Sequence, residues 1–261
     1  MEIQIKKAIK AGNSSAVVLP RAWLNKEVRI ELIEKSEKTI LLETLSILET
    51  HMGLSEIIGV YLAGSYARKE EDSKSDIDIL VITKNIDKEM INKGIYNILI
   101  ISEELLNQKL KNDLFPIGQM IKEARPLLNS SYLDSIDIQV TKKNTKWYLD
   151  TTKEKIKLTK KILDKIKNKN IKLIDNRIIY TLILRIRTLH IIDKLIKNQS
   201  YSKKEFIKLI KKISKGDNSY ESYLDIKNGL NKKSKNTLEE VEKLLVYLEK
   251  KLEEVKKEFR N

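Results

Sequence analysis

Asp76 and Asp78 stand two residues apart at the head of an apolar run, Ile77, Ile79, Leu80, Val81 and Ile82. In a β-strand, positions i and i+2 point to the same side, so both carboxylates converge while Ile77 and Ile79 face a core. Two like charges held that close repel, and a divalent cation relieves the repulsion. Upstream, the apolar stretch over residues 57–63 delivers the chain to Gly64, where backbone can approach a ligand. Ser65 is expected to cap a short helix over residues 65–71, whose free N–H groups and dipole suit a phosphate. Magnesium takes one or two carboxylates and completes its shell with phosphate oxygens and water. The combination points to in-line phosphoryl-group chemistry, with metal activating an acceptor and neutralising a leaving pyrophosphate.

The stretch Gly64-Ser65-Tyr66-Ala67-Arg68-Lys69-Glu70, continued by Ser75-Asp76-Ile77-Asp78, resembles the signature of the nucleotidyltransferase superfamily related to DNA polymerase β. It is most similar to the minimal and kanamycin-nucleotidyltransferase-like members. Gly64, Ser65, Ala67, Arg68, Glu70, Ser75, Asp76 and Asp78 match, and Lys69 replaces the usual glycine. Asp-x-Asp alone would be a weak signal; the combined spacing is specific. The resemblance implies Mg²⁺-dependent transfer of a nucleoside monophosphate from an NTP to a hydroxyl on a small molecule, protein or RNA. Asp76 and Asp78 would be the catalytic residues and the ligands of one or two Mg²⁺ ions. Gly64, Ser65, Arg68 and Ser75 would bind nucleotide, with Arg68 supporting either the loop or the triphosphate. One departure stands out. The family usually carries a third Asp or Glu on the next strand, and the polar residue there is Asn97. Loss of a general base costs on the order of 10²–10⁴ in rate, so transfer is weakened more than binding. Residues 113–116 and 121–128 also resemble the tail of these domains, which extends the similarity over roughly residues 50–130.

The surrounding pattern supplies the elements that must hold these residues. Strands are expected over residues 57–63, 76–83 and 96–101, with helices over 45–52 and 103–111, an α/β arrangement with a small mixed sheet. From about residue 150 the chain reads as helices over 153–167, 175–197, 202–215, 220–229 and 237–259. In the last, Leu238, Val241, Leu245, Leu248, Leu252, Val255 and Phe259 form an apolar seam. That seam reads first as packing within a bundle and second as an intermolecular coiled coil. The expected fold class is α+β with three domains: a β swapped-hairpin domain at 1–45, a nucleotidyltransferase domain at 46–140 and a helical bundle at 141–261.

Charge divides the chain in the same way. The 261 residues carry a net +14, but residues 1–50 hold 8 basic and 7 acidic side chains, residues 51–140 hold 10 and 14, and residues 141–261 hold 33 and 16. The basic excess lies in the helices and the carboxylate chemistry in a slightly acidic segment. Lacking cysteine, the chain has no disulfides, Cys-ligated zinc or thiol catalysis. Residues 1–15 contain lysines but no apolar signal core, and the most apolar helix is interrupted by Arg185, Arg187 and His190. A cytoplasmic protein without a membrane partner is therefore expected. The trio Arg185, Arg187 and His190 also bears comparison with the Arg-x4-His motif of helical ribonuclease toxins, although an ordinary basic pair in a bundle is the favoured reading. His51 has no partner pattern.

At the N-terminus, residues 7–24 followed by Val28-Arg29-Ile30 resemble the swapped-hairpin DNA-binding fold of AbrB/SpoVT-like regulators and antitoxins. The shared frame is a basic strand, Gly12-Asn13-Ser14, an apolar strand at 16–19, Pro20-Arg21 and a short helix. It implies an interleaved homodimer and DNA contact through Lys7, Lys10 and Arg21, with dimerisation alone as the other use. Two further functions compete with the enzyme: an antitoxin-like DNA-binding regulator whose central domain binds nucleotide but is inactive, and an oligomerising scaffold.

Overall fold

The structure, a computed structural model, describes residues 6, 8–30, 35–72, 75–168, 173–230 and 232–259, with backbone alone at Glu89. The chain divides into two compact units, Met1–Ser36 and Glu37–Asn261.

In the first unit, β1 (Ile9–Ala11) pairs antiparallel with β2 (Ser14–Ala16). Gly12, with φ +60°, makes the turn between them. A single 3₁₀ turn, Arg21–Trp23, follows Pro20. The apolar run over residues 16–19, expected as a buried strand, is paired only at Ala16, and Val18 is 64% exposed. No strand forms at the described residues 28–30; Ile3 and Ile5, whose alternation with polar residues suggests a further strand, lie outside the described residues. Among the described residues of this unit, two three-residue strands supply no second layer, and Val18, Leu24 and Ile30 are exposed.

The second unit begins with α1 (Glu37–Glu49) and continues through β3 (Ile57–Ala63), α2 (Gly64–Ala67), β4 (Ile77–Thr83), β5 (Lys88–Lys93) and β6 (Tyr96–Ser102). Then come α3 (Glu103–Asn112), α4 (Ile117–Glu123), β7 (Arg125–Leu128) and α5 (Ser130–Ser135). One sheet holds five strands in the order β5-β6-β4-β3-β7, with β4 and β6 parallel and the other pairs antiparallel. Both faces are covered, which explains the near-continuous Ile, Leu and Val of the central strands. Val60, Leu62, Ile77, Ile79, Val81, Ile98 and Ile100 pack toward Ile40, Ile47 and Leu48 of α1. Tyr61, Leu80, Ile82 and Ile101 point the other way, into a core continuous with the C-terminal helices. Strand alternation therefore puts Asp78, and Asn97 beside it, on the face turned toward those helices.

The helical region comprises α6 (Lys142–Asn168), α7 (Asn176–Ile196), α8 (Lys203–Ser214), α9 (Asn218–Lys227) and α10 (Leu238–Glu258). Thr237 and Glu240 form a reciprocal capping box that starts α10. Val241, Leu244, Leu245, Leu248, Leu252 and Val255 are buried against the other helices, so the α10 seam packs within the chain. Burial of each is worth roughly 1.5–3 kcal/mol. Among the described residues, no helix is long and apolar enough to cross a membrane.

Candidate active site

The site is built where β3 ends. Ala63 is extended and Gly64 turns into α2 with φ +65°. A Cβ on Gly64 would overlap Asp78 Oδ2, so glycine is required twice, by conformation and by the approach of that carboxylate. The Gly64 N–H donates to Glu123 Oε1 at 3.0 Å. This donor, expected to be free for a phosphate, is thus held by a carboxylate from α4. Ser65 does not cap the helix: α2 starts at Gly64, its N-cap is Ala63, and no side chain caps it. Ser65 is already helical, whereas a capping residue must lie outside the helix. The helix itself covers one turn rather than residues 65–71.

β4 begins at Ile77, leaving Asp76 immediately before it; Asp76 is exposed and Asp78 half-buried. Asn97, in register with Asp78 on the parallel strand β6, donates from Nδ2 to Asp78 Oδ1 at 3.3 Å. Burial pushes the Asp78 carboxyl above its ordinary value. The Asn97 bond opposes that shift, Asp76 reinforces it, and Arg68 and Lys227 pull it back. The two aspartates thus act on each other electrostatically. Ser75 turns inward on its own loop, its Oγ donating to Asp72 Oδ1 at 3.2 Å and accepting from the Asp72 N–H at 2.9 Å.

Arg68 lies between two carboxylates, with Nη1 2.6 Å from Glu123 Oε2 and Nε 3.0 Å from Glu70 Oε2. Its guanidinium also sits over the Tyr201 ring, 5.5 Å from the centroid. These contacts tie Arg68 to its own loop, to α4 and to the Tyr201 ring. Burial raises the Glu123 carboxyl, and the bonds from Arg68, Gly64 and Gln119 do not fully offset it.

The helices add groups that no motif announced. Lys227, the last residue of α9, is pulled below the ordinary lysine range by burial of its ammonium and by repulsion from Arg187 and Lys203, opposed by Asp78 and Asp76. It therefore lies within electrostatic reach of both aspartates. Arg187 lies over the same Tyr201 ring, 5.3 Å from its centroid. Glu123 was visible only as part of the family-like tail, and Lys227 had no sequence signal because it lies 149 positions after Asp78. Arg185 donates to Thr151 at 3.0 Å, and His190 lies against Tyr201 and Phe206. Burial, with Lys194 and Lys251 nearby, lowers the affinity of His190 for a proton.

Among the described residues, no group of three His, Cys, Asp or Glu side chains could hold a metal ion. Two carboxylates with a neutral Asn97 fit a magnesium ion that is held jointly with a nucleotide, not one caged by protein alone. In the first unit, Lys10 on β1 and Arg21 at the start of the 3₁₀ turn are both exposed; Lys7 lies outside the described residues.

Residues 45–132 match the family model described as Polymerase beta, Nucleotidyltransferase. This segment is therefore a nucleotidyltransferase-type domain. No match is found among curated protein sequences. Among solved structures, the chain is similar to a nucleotidyltransferase-like protein from Exiguobacterium sibiricum at 15% identity, covering 84% of this chain and 77% of that one, with a TM-score of 0.34. It is also similar to the spectinomycin adenyltransferase AAD(9) from Enterococcus faecialis, crystallised with ATP and spectinomycin, at 13% identity, covering 81% and 99%, with a TM-score of 0.37. Both scores are too low to establish a shared overall fold.

Proposed function

We propose that this chain is a magnesium-dependent nucleotidyltransferase that moves a nucleoside monophosphate from an NTP to a hydroxyl acceptor. The observation that carries this reading is the close seating of Asp78 against Gly64, with Asp76 beside it, inside the segment that matches the nucleotidyltransferase family. The acceptor oxygen would bond to the α-phosphorus as the bond to the bridging oxygen breaks and pyrophosphate leaves. Asp76 and Asp78 would hold magnesium together with the nucleotide phosphates; when bound, the ion offsets phosphate charge and favours the acceptor alkoxide. Gly64 leaves room for the carboxylate, and the Ser65 hydroxyl and backbone lie at the same turn to receive a phosphate. Asn97 orients Asp78 by donating to it but accepts no proton, so the acceptor proton leaves through an aspartate or water. Lys227, within electrostatic reach of Asp76 and Asp78, would offset negative charge that develops at the site during transfer.

Labelled NTPs offered one at a time with Mg²⁺ and a cell extract as acceptor source test this reading beside Asp76→Asn and Asp78→Asn controls. Incorporation by the wild type alone supports it. Equal incorporation by all three proteins removes the activity from this site.

A second reading, a DNA-binding regulator with an inactive nucleotide-binding domain, is favoured by Asn97 in place of a third carboxylate. In either case the N-terminal unit would serve as a homodimeric hairpin module using Lys7, Lys10 and Arg21 on DNA. Binding that weakens steeply with salt, and with substitution of those three residues, is the expected outcome. Absence of any binding at low salt removes the regulator.

A further inference from the structure

Glu70 accepts four hydrogen bonds from groups on two distant parts of the chain. Ser202 Oγ donates to Oε1 at 2.8 Å, the Lys203 N–H to Oε2 at 2.9 Å and the Lys204 N–H to Oε1 at 3.3 Å. Oε2 also accepts from Arg68 Nε at 3.0 Å. Ser202 is the N-cap of α8 and its hydroxyl simultaneously accepts from the Glu205 N–H. A carboxylate from the catalytic segment thus completes the N-terminus of a bundle helix, satisfying N–H groups that the helix cannot satisfy internally. The side chain is only 8% exposed. Two neighbouring contacts repeat the connection: Arg68 over the Tyr201 ring, and Lys203 Nζ 3.8 Å from Asp72 Oδ2. Burial pushes the Glu70 carboxyl up, but the bonds from Lys203, Ser202, Arg68 and Lys204 together outweigh it and hold it below its ordinary value.

We propose that Glu70 is a positioning residue that clamps the loop between α2 and β4 to the start of α8. The clamp keeps Lys227 within electrostatic reach of Asp76 and Asp78. Its catalytic consequence rests on the nucleotidyltransferase reading above; the clamp itself does not. Arg68 transmits the restraint toward Gly64 through Glu123, and α8 transmits it to Lys227 through its packing on α9. The bundle is then a working wall of the site.

The test compares the full chain with Glu70→Ala, Glu70→Gln and Ser202→Ala. Hydrogen exchange of residues 64–72 and 202–206 is followed beside steady-state transfer, and circular dichroism checks that each variant is folded. In Glu70→Ala, both segments should exchange about tenfold faster. Its kcat should fall about tenfold or more while the NTP KM moves less than about threefold, because the interaction aligns the site without holding substrate. Glu70→Gln keeps an acceptor for α8 without the charge for Arg68 and should lie between wild type and Glu70→Ala. Ser202→Ala should move in the same direction by less. Unchanged exchange at 202–206 in folded Glu70→Ala overturns the clamp. Faster exchange with unchanged kcat overturns its positioning role. If Glu70→Ala does not fold, Glu70→Gln carries the same comparison. Wild-type protein that transfers no nucleotide overturns the proposed activity, and the exchange measurement then decides the clamp by itself.

Discussion

At Asp78 the proposed role and stability pull in opposite directions. Its folded pKa is raised, so the fold favours the protonated acid. The resulting penalty is absent below the unfolded value, grows as pH rises toward the folded value, and is full above it. Asp78→Asn should therefore melt higher than wild type at pH 7 without Mg²⁺ or nucleotide, while transfer falls by about 10²–10⁴-fold; a lower melting temperature would contradict the desolvation account. Gly64→Ala acts in the opposite sense. It strains a left-handed backbone and displaces Asp78 Oδ2, and should cost roughly 1–3 kcal/mol in urea titration together with most of the transfer activity. Asn97→Asp places a third carboxylate beside Asp78. The apo protein should lose stability, and the melting-temperature gain on adding Mg²⁺ should exceed that of wild type.

At the scale of elements, the turn from β3 into α2 is held from behind by α4. Glu123 accepts from both Gly64 N–H and Arg68 and is 4% exposed, so its deletion leaves Arg68 Nη1 and a backbone donor without that acceptor. Glu123→Ala should cost about 3–5 kcal/mol. Glu123→Gln preserves an acceptor and removes a charge that burial disfavours, and should cost clearly less. Denaturant midpoints with unchanged m-values would show the difference. The connection between α2 and α8 has its own pH signature. The Glu70 carboxyl is lowered from an ordinary value of 4.5, so its contribution is fully present above that pH and is lost as pH falls through the folded value. Faster exchange at residues 202–206 in acid, before global unfolding, is the expected result.

At the scale of the whole molecule, charge and exposed apolar surface govern encounters. Net charge is +14, and the excess lies in the helices beyond residue 140, while the aspartates sit in an acidic segment. Transfer to a polyanionic acceptor should fall as salt rises through about 0.1–0.3 M, whereas transfer to a neutral small molecule should change little. The N-terminal unit exposes Val18 at 64%, Leu24 at 72% and Ile30 at 67%. Light scattering of the full chain should show concentration-dependent self-association that disappears when residues 1–36 are removed.

Sequence alone determined the catalytic candidates and the strands that carry them, because strand alternation, glycine conformation and carboxylate spacing act over a few residues. Ile57–Ala63 is a strand as its apolar run requires, and the seven-residue spacing of α10 correctly anticipates a buried face. Local pattern could not show that Gly64 N–H is taken by Glu123, that Arg68 is spent on two carboxylates, or that Glu70 reaches α8. Nor could it place Lys227 near Asp78. Apart from Arg68–Glu70, those relations join residues tens to more than a hundred positions apart, and only the packing of helices on the sheet decides which distant charges share a site.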